Sequence, residues 1–243
     1  MIRVRFTLLL VGISLCQAQR TDDQAKRNAR LQLERVQAAP RLNLEASNLK
    51  LQPPKPNWAV EMVSSVAAGN NGIIYVLQRG PDANPVLAVD REGQIKHSCG
   101  AGLYAIPHSI RVDLDGNVWT VDSGNSQVYK FSPQGKQLLH IDVGEMPEKS
   151  SPFRGTSDIA FAPNGNLPIA DGYGNARILE YSPKGKRLRA WGRPGTGDGE
   201  LNRDTGKILG LVPSTGTHSV TLNAPGELFT GTRPDRVLRF RAP

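Results

Sequence analysis

Cysteine is scarce in this chain, which carries only Cys16 and Cys99 among its 243 residues. Cys16 falls in an N-terminal segment that we expect to be removed, so the mature protein would keep Cys99 alone. A single cysteine excludes an internal disulfide as a source of stability. We interpret Cys99 as a small buried residue rather than as a reactive thiol.

The N-terminal apolar run is short, because FTLLLVGISL has about ten residues where a transmembrane helix needs about 20. No membrane span is therefore predicted. The run follows two arginines in MIRVRF and precedes Ala18, a small residue suited to cleavage. This order predicts a secretory signal peptide over residues 1–19 and a secreted or periplasmic protein. A lipid anchor on Cys16 is the weaker alternative, since Leu15 is bulky at the preceding position.

Acidic residues are outnumbered by basic ones, 22 to 30, which gives a net charge of +8. The basic residues are scattered along the chain rather than clustered, so we do not predict nucleic-acid binding. Hydrophobic residues make up 38% of the chain, which is ordinary for a globular protein with a core. The 25 glycines and 18 prolines favour many short strands joined by turns.

Two regions differ in pattern. Residues 20–57 are polar, and we expect a surface helix or a mobile arm that ends in the proline-rich linker PPKPN. From Trp58 the sequence repeats, because 106–141 can be laid over 155–191 with the same alternation of apolar residues and the same turns. Further copies begin at Val63 and Gly216. Repeats of four strands over about 44 to 50 residues are typical of propeller blades, so the fold class is all-β, a β-propeller over residues 58–243.

The spacing of the repeats is interrupted once. The last interval between equivalent turn glycines is too long for one blade and too short for two; these glycines are Gly72, Gly116, Gly165 and Gly226. Within that interval, residues 203–212 match the outer strand of the other repeats, and residues 193–202 contain only turn-forming types. We therefore expect about four complete blades plus an orphan outer strand, with the interior of one blade missing.

Histidine is also sparse, and two of the four histidines occupy equivalent repeat positions. His108 in PHSI and His218 in THSV stand at the entry to an innermost strand, where a propeller opens its central channel. Spacing alone leaves metal binding and ordinary capping roles open, since a catalytic zinc needs three protein ligands. His97 and His140 fall on outer strands, and we interpret both as structural.

The repeats carry a more specific pattern in GLYAIPHSIRVDLDGNVWTVD and ADGYGNARILEYSPKGK. These strings closely resemble the peptidyl-α-hydroxyglycine α-amidating lyases, a branch of the NHL-type β-propellers. The resemblance runs from about Trp58 to Trp191 and resumes in the last repeat. It implies a six-bladed fold that cleaves peptidyl-α-hydroxyglycine to a peptide amide and glyoxylate. It also implies a catalytic zinc held by three histidines and a structural calcium in the channel.

The resemblance assigns site residues one by one. It implies zinc ligands at His108 and His218, an acid/base tyrosine at Tyr173 in ADGYGN, and an arginine for the substrate carboxylate at Arg79 in YVLQRG. The residue types suit this chemistry, since zinc polarises a hydroxyl, a phenolate can take its proton, and a guanidinium pairs with a carboxylate. The alternatives are a plain turn residue at Tyr173 and a surface residue at Arg79.

Several features depart from the family pattern. The third zinc histidine and a second arginine would come from the missing blade, and no histidine near residues 193–216 replaces the ligand. Pro168 stands where an aromatic or branched residue would fit in a strand, and the last repeat has GTRPD where others have DSGN. The sequence thus predicts an exported lyase acting on a small peptide-like or N-acyl hydroxyglycine substrate, with an incomplete zinc site. The alternative is a non-catalytic NHL-repeat propeller that binds a peptide, glycan or protein partner.

Overall fold

The computed structural model describes two compact units. The first comprises residues Met1–Leu42 and Asn202–Val212, and the second comprises Asn43–Leu201 and Pro213–Pro243. The described residues are 26–27, 30–31, 34, 37–38, 45–144, 153, 155–173, 175–192, 217–222, 228–232 and 236–241. The predicted signal peptide, the turn-rich segment 193–202 and the orphan strand 203–212 lie outside them. In the first unit the described residues, all between 26 and 38, are helical. A surface helix is one of the two structures that the sequence predicts for this arm.

The second unit is all-β over its described residues and contains four antiparallel sheets of four strands each. The strands are β1 Glu45–Asn48, β2 Ser65–Ala68, β3 Ile74–Leu77, β4 Val86–Val89, β5 Ile95–Cys99, β6 Pro107–Val112, β7 Val118–Asp122, β8 Gln127–Phe131, β9 Gln137–Asp142, β10 Asp158–Ile159, β11 Leu167–Asp171, β12 Arg177–Tyr181, β13 Arg187–Trp191, β14 Thr217–Leu222, β15 Leu228–Thr232 and β16 Arg236–Arg241.

The first three sheets each consist of consecutive strands, β2–β5, β6–β9 and β10–β13. Tight turns join the strands, and Gly116 and Gly165 hold equivalent places in them with a φ of 81° each. This left-handed backbone conformation is open to glycine at little cost. The repeats inferred from the sequence are therefore confirmed as sheets of equal topology.

The fourth sheet is completed from a distant part of the chain. Its strands are β14, β15, β16 and β1, and β1 pairs antiparallel with β16. The sequence places residues 45–48 in the polar arm, so the propeller boundary at residue 58 is too late. The strand escaped prediction because EASN has no apolar alternation, and because its pairing partner lies at the other end of the chain rather than across a local turn.

Apolar faces of neighbouring sheets form the core. Trp119 and Val121 of the second sheet pack with Ile169 and Leu179 of the third. Similar clusters join the first sheet to the second and the fourth sheet to the first. The inner strands β14, β2, β6 and β10 follow one another in that order. Sheets that pack face to face with their first strands side by side are blades of a β-propeller, so the predicted fold class is confirmed. The number of blades stays a prediction.

Pro168 lies inside β11, as the sequence suggests, and it shortens the neighbouring strand. The Pro168 carbonyl accepts a hydrogen bond from the Ala160 amide at 2.8 Å. An ordinary residue would return a bond to the Ala160 carbonyl, but proline has no N–H to donate. Strand β10 accordingly ends at Ile159 after two residues, whereas its counterpart β6 has six.

The described residues include no helix with the length and apolar character needed to cross a membrane.

Candidate functional site at the entry of the inner strands

His108 is the second residue of β6 and lies at a β-bulge. The register of β6 against β7 shifts between Pro107 and Ser109, so His108 is the extra residue. Bulges re-aim side chains and are frequent beside functional sites. This one turns the imidazole toward the third sheet, where its Nδ1 lies 2.7 Å from the Ser157 carbonyl oxygen.

The loop that leads into His108 is fixed by a buried carboxylate. Asp122, at the end of β7, is fully buried and accepts hydrogen bonds from the Ala105 and Ile106 amides at 2.6 and 2.7 Å. It also accepts one from the Gly124 amide at 2.9 Å. Charge-assisted bonds to backbone N–H groups are strong in a buried setting. Asp122 therefore acts as a positioning residue for His108.

The tautomer of His108 follows from its two partners. The Ser157 carbonyl can only accept, so Nδ1 carries a hydrogen, and in the neutral imidazole Nε2 then presents a lone pair. In this neutral form the Tyr173 hydroxyl, which lies 2.6 Å from Nε2, donates to it. The two rings meet edge to face, with centroids 5.2 Å apart.

Tyr173 is held from the neighbouring sheet, two residues after β11. It is 40% exposed. The preceding Asp171 is fully buried and accepts hydrogen bonds from Asn175 Nδ2 at 2.9 Å and Arg177 Nε at 2.8 Å. These bonds tie together the two ends of the short loop that carries the tyrosine.

Arg79 reaches the same place from the first sheet. Its Nε donates to the Pro107 carbonyl at 2.8 Å, beside His108. Its guanidinium carbon lies 5.3 Å from the centroid of the Phe153 ring. Stacking on an aromatic face holds a guanidinium in a fixed orientation. Arg79, His108 and Tyr173 thus come together from three sheets. Their roles in the site stay predictions.

Phe153 is a member of this cluster that the sequence did not reveal. Besides Arg79, its ring meets those of His108 and Tyr173, at centroid distances of 6.1 and 5.3 Å. It lies between the second and third sheets, outside any strand, so neither alternation nor a turn signature marks it. Only its proximity to the repeat that follows hints at a role.

His218 can be compared with His108 through the backbone. It is the second residue of β14, and the register against β15 shifts between Thr217 and Ser219 as it does around His108. The equivalence of the two repeat positions is therefore confirmed. The side chain of His218 lies outside the described part of the structure, so its role as a ligand stays a prediction.

The described residues fit a metal site in part. An imidazole that donates its Nδ1–H to a carbonyl and presents Nε2 has the form that metal-bound histidines adopt. His108 meets this requirement through Ser157. Among the residues whose side chains are described, no three His, Cys, Asp or Glu groups come together as a metal-binding set.

The remaining histidines and Cys99 lie away from the cluster. His97 is in β5 and His140 in β9, both outer strands, as expected. His140 stacks on Tyr129 with ring centroids 4.8 Å apart, which suits a structural role. Burial raises the pKa of the Cys99 thiol to about 11, so the thiolate is a minor species near neutral pH.

Known proteins give the site its context. The chain is 36% identical over 120 residues to peptidyl-alpha-hydroxyglycine alpha-amidating lyase 1 of Drosophila melanogaster, covering 47% of this chain and 22% of that protein. It is 26% identical over 183 residues to mouse NHL repeat-containing protein 3, covering 70% of this chain and 48% of that protein. The chain is a sequence relative of the amidating lyases. It spans less than half the length of either relative, and no family model matches it.

Comparison of folds agrees with the propeller assignment. A solved structure described provisionally as a gluconolactonase aligns with a TM-score of 0.53 at 11% identity. The alignment covers 84% of this chain and 93% of that one. At this level of identity the likeness shows the fold alone.

Proposed function

We propose that this relative of the amidating lyases is an exported lyase that cleaves the N–C bond of peptide-like or N-acyl α-hydroxyglycines, releasing an amide and glyoxylate. One observation carries the proposal. Tyr173 Oη lies 2.6 Å from His108 Nε2, and Arg79 is held beside this pair by Pro107 and Phe153. Three residues implied by the family resemblance thereby lie near one another, each from a separate sheet.

Tyr173 suits the proton transfer that this cleavage needs. The substrate hydroxyl must lose its proton as the carbonyl of glyoxylate forms, and the amide nitrogen must gain one as the N–C bond breaks. A phenol oxygen within hydrogen-bond reach of both atoms can accept the first proton and return it to nitrogen. Tyr173 is 40% exposed, and its hydroxyl lies 2.6 Å from His108 Nε2, the lone pair that zinc would take in place of this bond.

Arg79 suits the carboxylate that becomes part of glyoxylate. Its Nε is committed to the Pro107 carbonyl and its plane is stacked on Phe153. A guanidinium anchored in this way meets a carboxylate with little further loss of side-chain freedom. It would hold the substrate with the hydroxyl-bearing carbon near Tyr173.

We include a zinc ion in the proposal, with His108 and His218 as its protein ligands. When bound, zinc supplies Lewis-acid polarisation of the substrate hydroxyl. The tautomer of His108 supports this assignment, because Nε2 presents a lone pair while Nδ1 is occupied by Ser157. A structural calcium in the channel is part of the same proposal through the family resemblance, with no residues assigned to it.

The test uses the purified full chain with N-acetyl-α-hydroxyglycine as substrate. Because only two histidines are assigned to zinc, we expect the metal to bind when zinc is titrated into the protein rather than to be retained through purification. Glyoxylate release is measured directly with zinc present. Tyr173→Phe should lower kcat about a hundredfold or more while zinc stays bound. His108→Ala should lose zinc and activity together, and His140→Ala is the matched control that should keep both.

The competing function makes the opposite forecast. A non-catalytic NHL-repeat propeller would release no glyoxylate with or without added zinc, and His108→Ala and His140→Ala would then behave alike. That pair of results would reject the lyase and leave a peptide-, glycan- or protein-binding propeller as the function.

A further inference from the structure

A cleft adjoins the candidate site between the first and second sheets. It has a volume of about 290 Å³ and is formed by the loops 78–85 and 101–107. Ligand pockets usually begin at about 300 Å³, so this one suits a segment of one or two residues rather than a large ligand.

Gln78 holds the first wall of the cleft in place. It is fully buried at the end of β3, and its Nε2 donates to the carbonyls of Gly80 and Ala83 at 3.0 and 2.7 Å. Its Oε1 accepts from the Gly80 and Glu61 amides. One buried amide side chain thus fixes the whole loop, which also contains Pro81 and Pro85.

The second wall is fixed from the second sheet. The Tyr104 hydroxyl hydrogen-bonds Thr120 Oγ1 at 2.7 Å, and the Tyr129 hydroxyl donates to the Leu103 carbonyl at 3.0 Å. The bonds from Asp122 to Ala105 and Ile106 hold the part of the same loop nearest His108. Both walls are therefore pre-formed, and binding would cost little ordering of the protein.

Arg79 and Pro107 link the cleft to the candidate site. Both residues line the cleft, and the Arg79 Nε donates to the Pro107 carbonyl across it. The same guanidinium stacks on Phe153, which contacts Tyr173. Arg79 therefore borders both the cleft and the candidate site.

One carboxylate in the cleft gives it a preference among substrate side chains. Asp82 lines the first wall, is exposed, and makes no hydrogen bond or ion pair with any described residue. We propose that the cleft binds the peptide segment preceding the reacting hydroxyglycine, and that Asp82 favours a lysine or arginine side chain there. The inference rests on the proposed function, since it takes the cleft as part of the substrate site.

Peptide amides test the proposal without any catalytic step, because they are the expected products. Two probes, acetyl-Lys-Ala-amide and acetyl-Glu-Ala-amide, are titrated into the full chain by calorimetry. A carboxylate near the surface should favour the lysine peptide about three- to tenfold in Kd, with the preference shrinking as salt is added. Asp82→Asn should remove the preference. Asp115→Asn, an exposed carboxylate outside this cleft, should keep it.

Each result has one meaning. Equal binding of the two peptides, or a preference that survives in Asp82→Asn, overturns the assignment of Asp82. Absence of binding by either peptide up to millimolar concentration overturns the cleft as a peptide site. Glyoxylate release from N-acetyl-α-hydroxyglycine, which has no preceding residue, reports separately on the lyase. Failure of the lyase with peptide binding intact would therefore be recognised.

Discussion

The second and third sheets have the same topology, but one equivalent cross-strand pair contains a cation in the second sheet and an anion in the third. In the second sheet Trp119 faces Lys130 across the strands, and in the third sheet Pro168 faces Glu180. The Lys130 ammonium lies 5.0 Å from the Trp119 ring centroid and 3.3 Å from an Asp113 oxygen.

In the third sheet the carboxylate takes the central role. Glu180 accepts from Asn166 Nδ2 at 2.8 Å and pairs with Arg189, and the Arg189 guanidinium stacks on Trp191. In the Glu180–Arg189 ion pair the carboxylate is buried, whereas the guanidinium is exposed to water.

The two sheets also differ on their following face, which is the face that each sheet turns toward the next sheet along the chain. Trp119 and Val121 pack into the third sheet, whereas Pro168 and Ala170 alternate away from the core that Leu167 and Ile169 share with the second sheet. The second sheet thus carries Trp119 and Val121 on its following face. The third carries Pro168, Ala170 and Glu180 there, beside the half-buried Ile178 and the exposed Trp191. The following face of the second sheet therefore forms a buried interface with the third sheet, whereas the following face of the third sheet is more polar.

The largest effect should come from the apolar face of the second sheet. Trp119→Ala removes a buried indole from the core between the sheets, which should cost about 3–5 kcal/mol of unfolding free energy. Chemical denaturation of both proteins measures it. Trp191→Ala, at a tryptophan that is 43% exposed on β13, is the matched control and should cost under about 1 kcal/mol. Equal losses would refute the difference between the two faces.

A second large effect is expected at Asp122, the buried carboxylate that ends β7 as Asp171 ends β11. Asp122→Ala would leave three backbone amides without their acceptor, at a cost of about 1–3 kcal/mol. The loop before His108 should loosen, seen as faster amide hydrogen exchange at Ala105 and Ile106. Asp142→Ala, an exposed residue of the same sheet, should leave exchange there unchanged. Unaltered exchange in Asp122→Ala would contradict the positioning role.

Sequence reasoning reached the sheets because alternation and turn glycines are local signals. Gly116 and Gly165 mark the same turn in successive repeats, and the structure gives both the same backbone conformation. Strand β1 was missed because its partner β16 is distant in sequence. No local pattern records a pairing between the two ends of a chain.

The site was accessible to prediction only in part. Tyr173 and Arg79 became candidates through family resemblance, since a lone tyrosine in a turn and a lone arginine before Gly-Pro carry no chemistry by spacing. Phe153 was missed, because it is an aromatic residue that lies outside every strand. The 2.6 Å approach of Tyr173 to His108 depends on how two sheets pack, which no single repeat encodes.

Pro168 offers a smaller test of the same comparison. Pro168→Val would supply the missing N–H opposite the Ala160 carbonyl and let β10 extend, as its counterpart β6 does. The gained hydrogen bond is offset by the freedom that the unfolded chain gains when proline is lost, so the net stability change should stay within about 1 kcal/mol. Slower hydrogen exchange of the Ala160 and Ala162 amides would report the repaired strand. Unchanged exchange at both positions would show that proline is not what shortens β10.

The smallest effect concerns acid, and it separates the two sheets by their carboxylates. Hydrogen bonds from Asn166 and Arg189 lower the pKa of Glu180 below its usual value. Burial opposes ionisation of Asp113, but hydrogen bonds from Trp119 and Asn117 outweigh it and lower its pKa as well. Each group therefore adds stability that is present above its unfolded-state pKa and is lost as the pH falls through its folded-state pKa.

Glu180→Gln and Asp113→Asn should each flatten the fall in unfolding free energy between about pH 5 and pH 3, measured by denaturation at successive pH values. Glu180 is held by an exposed arginine, whereas Asp113 is held by a buried tryptophan and a partly buried lysine. Added salt should therefore shrink the acid effect that Glu180 contributes more than the one that Asp113 contributes. If both respond to salt alike, then the two sheets bury their charged pairs equally, and the contrast between their following faces lies in the apolar residues alone.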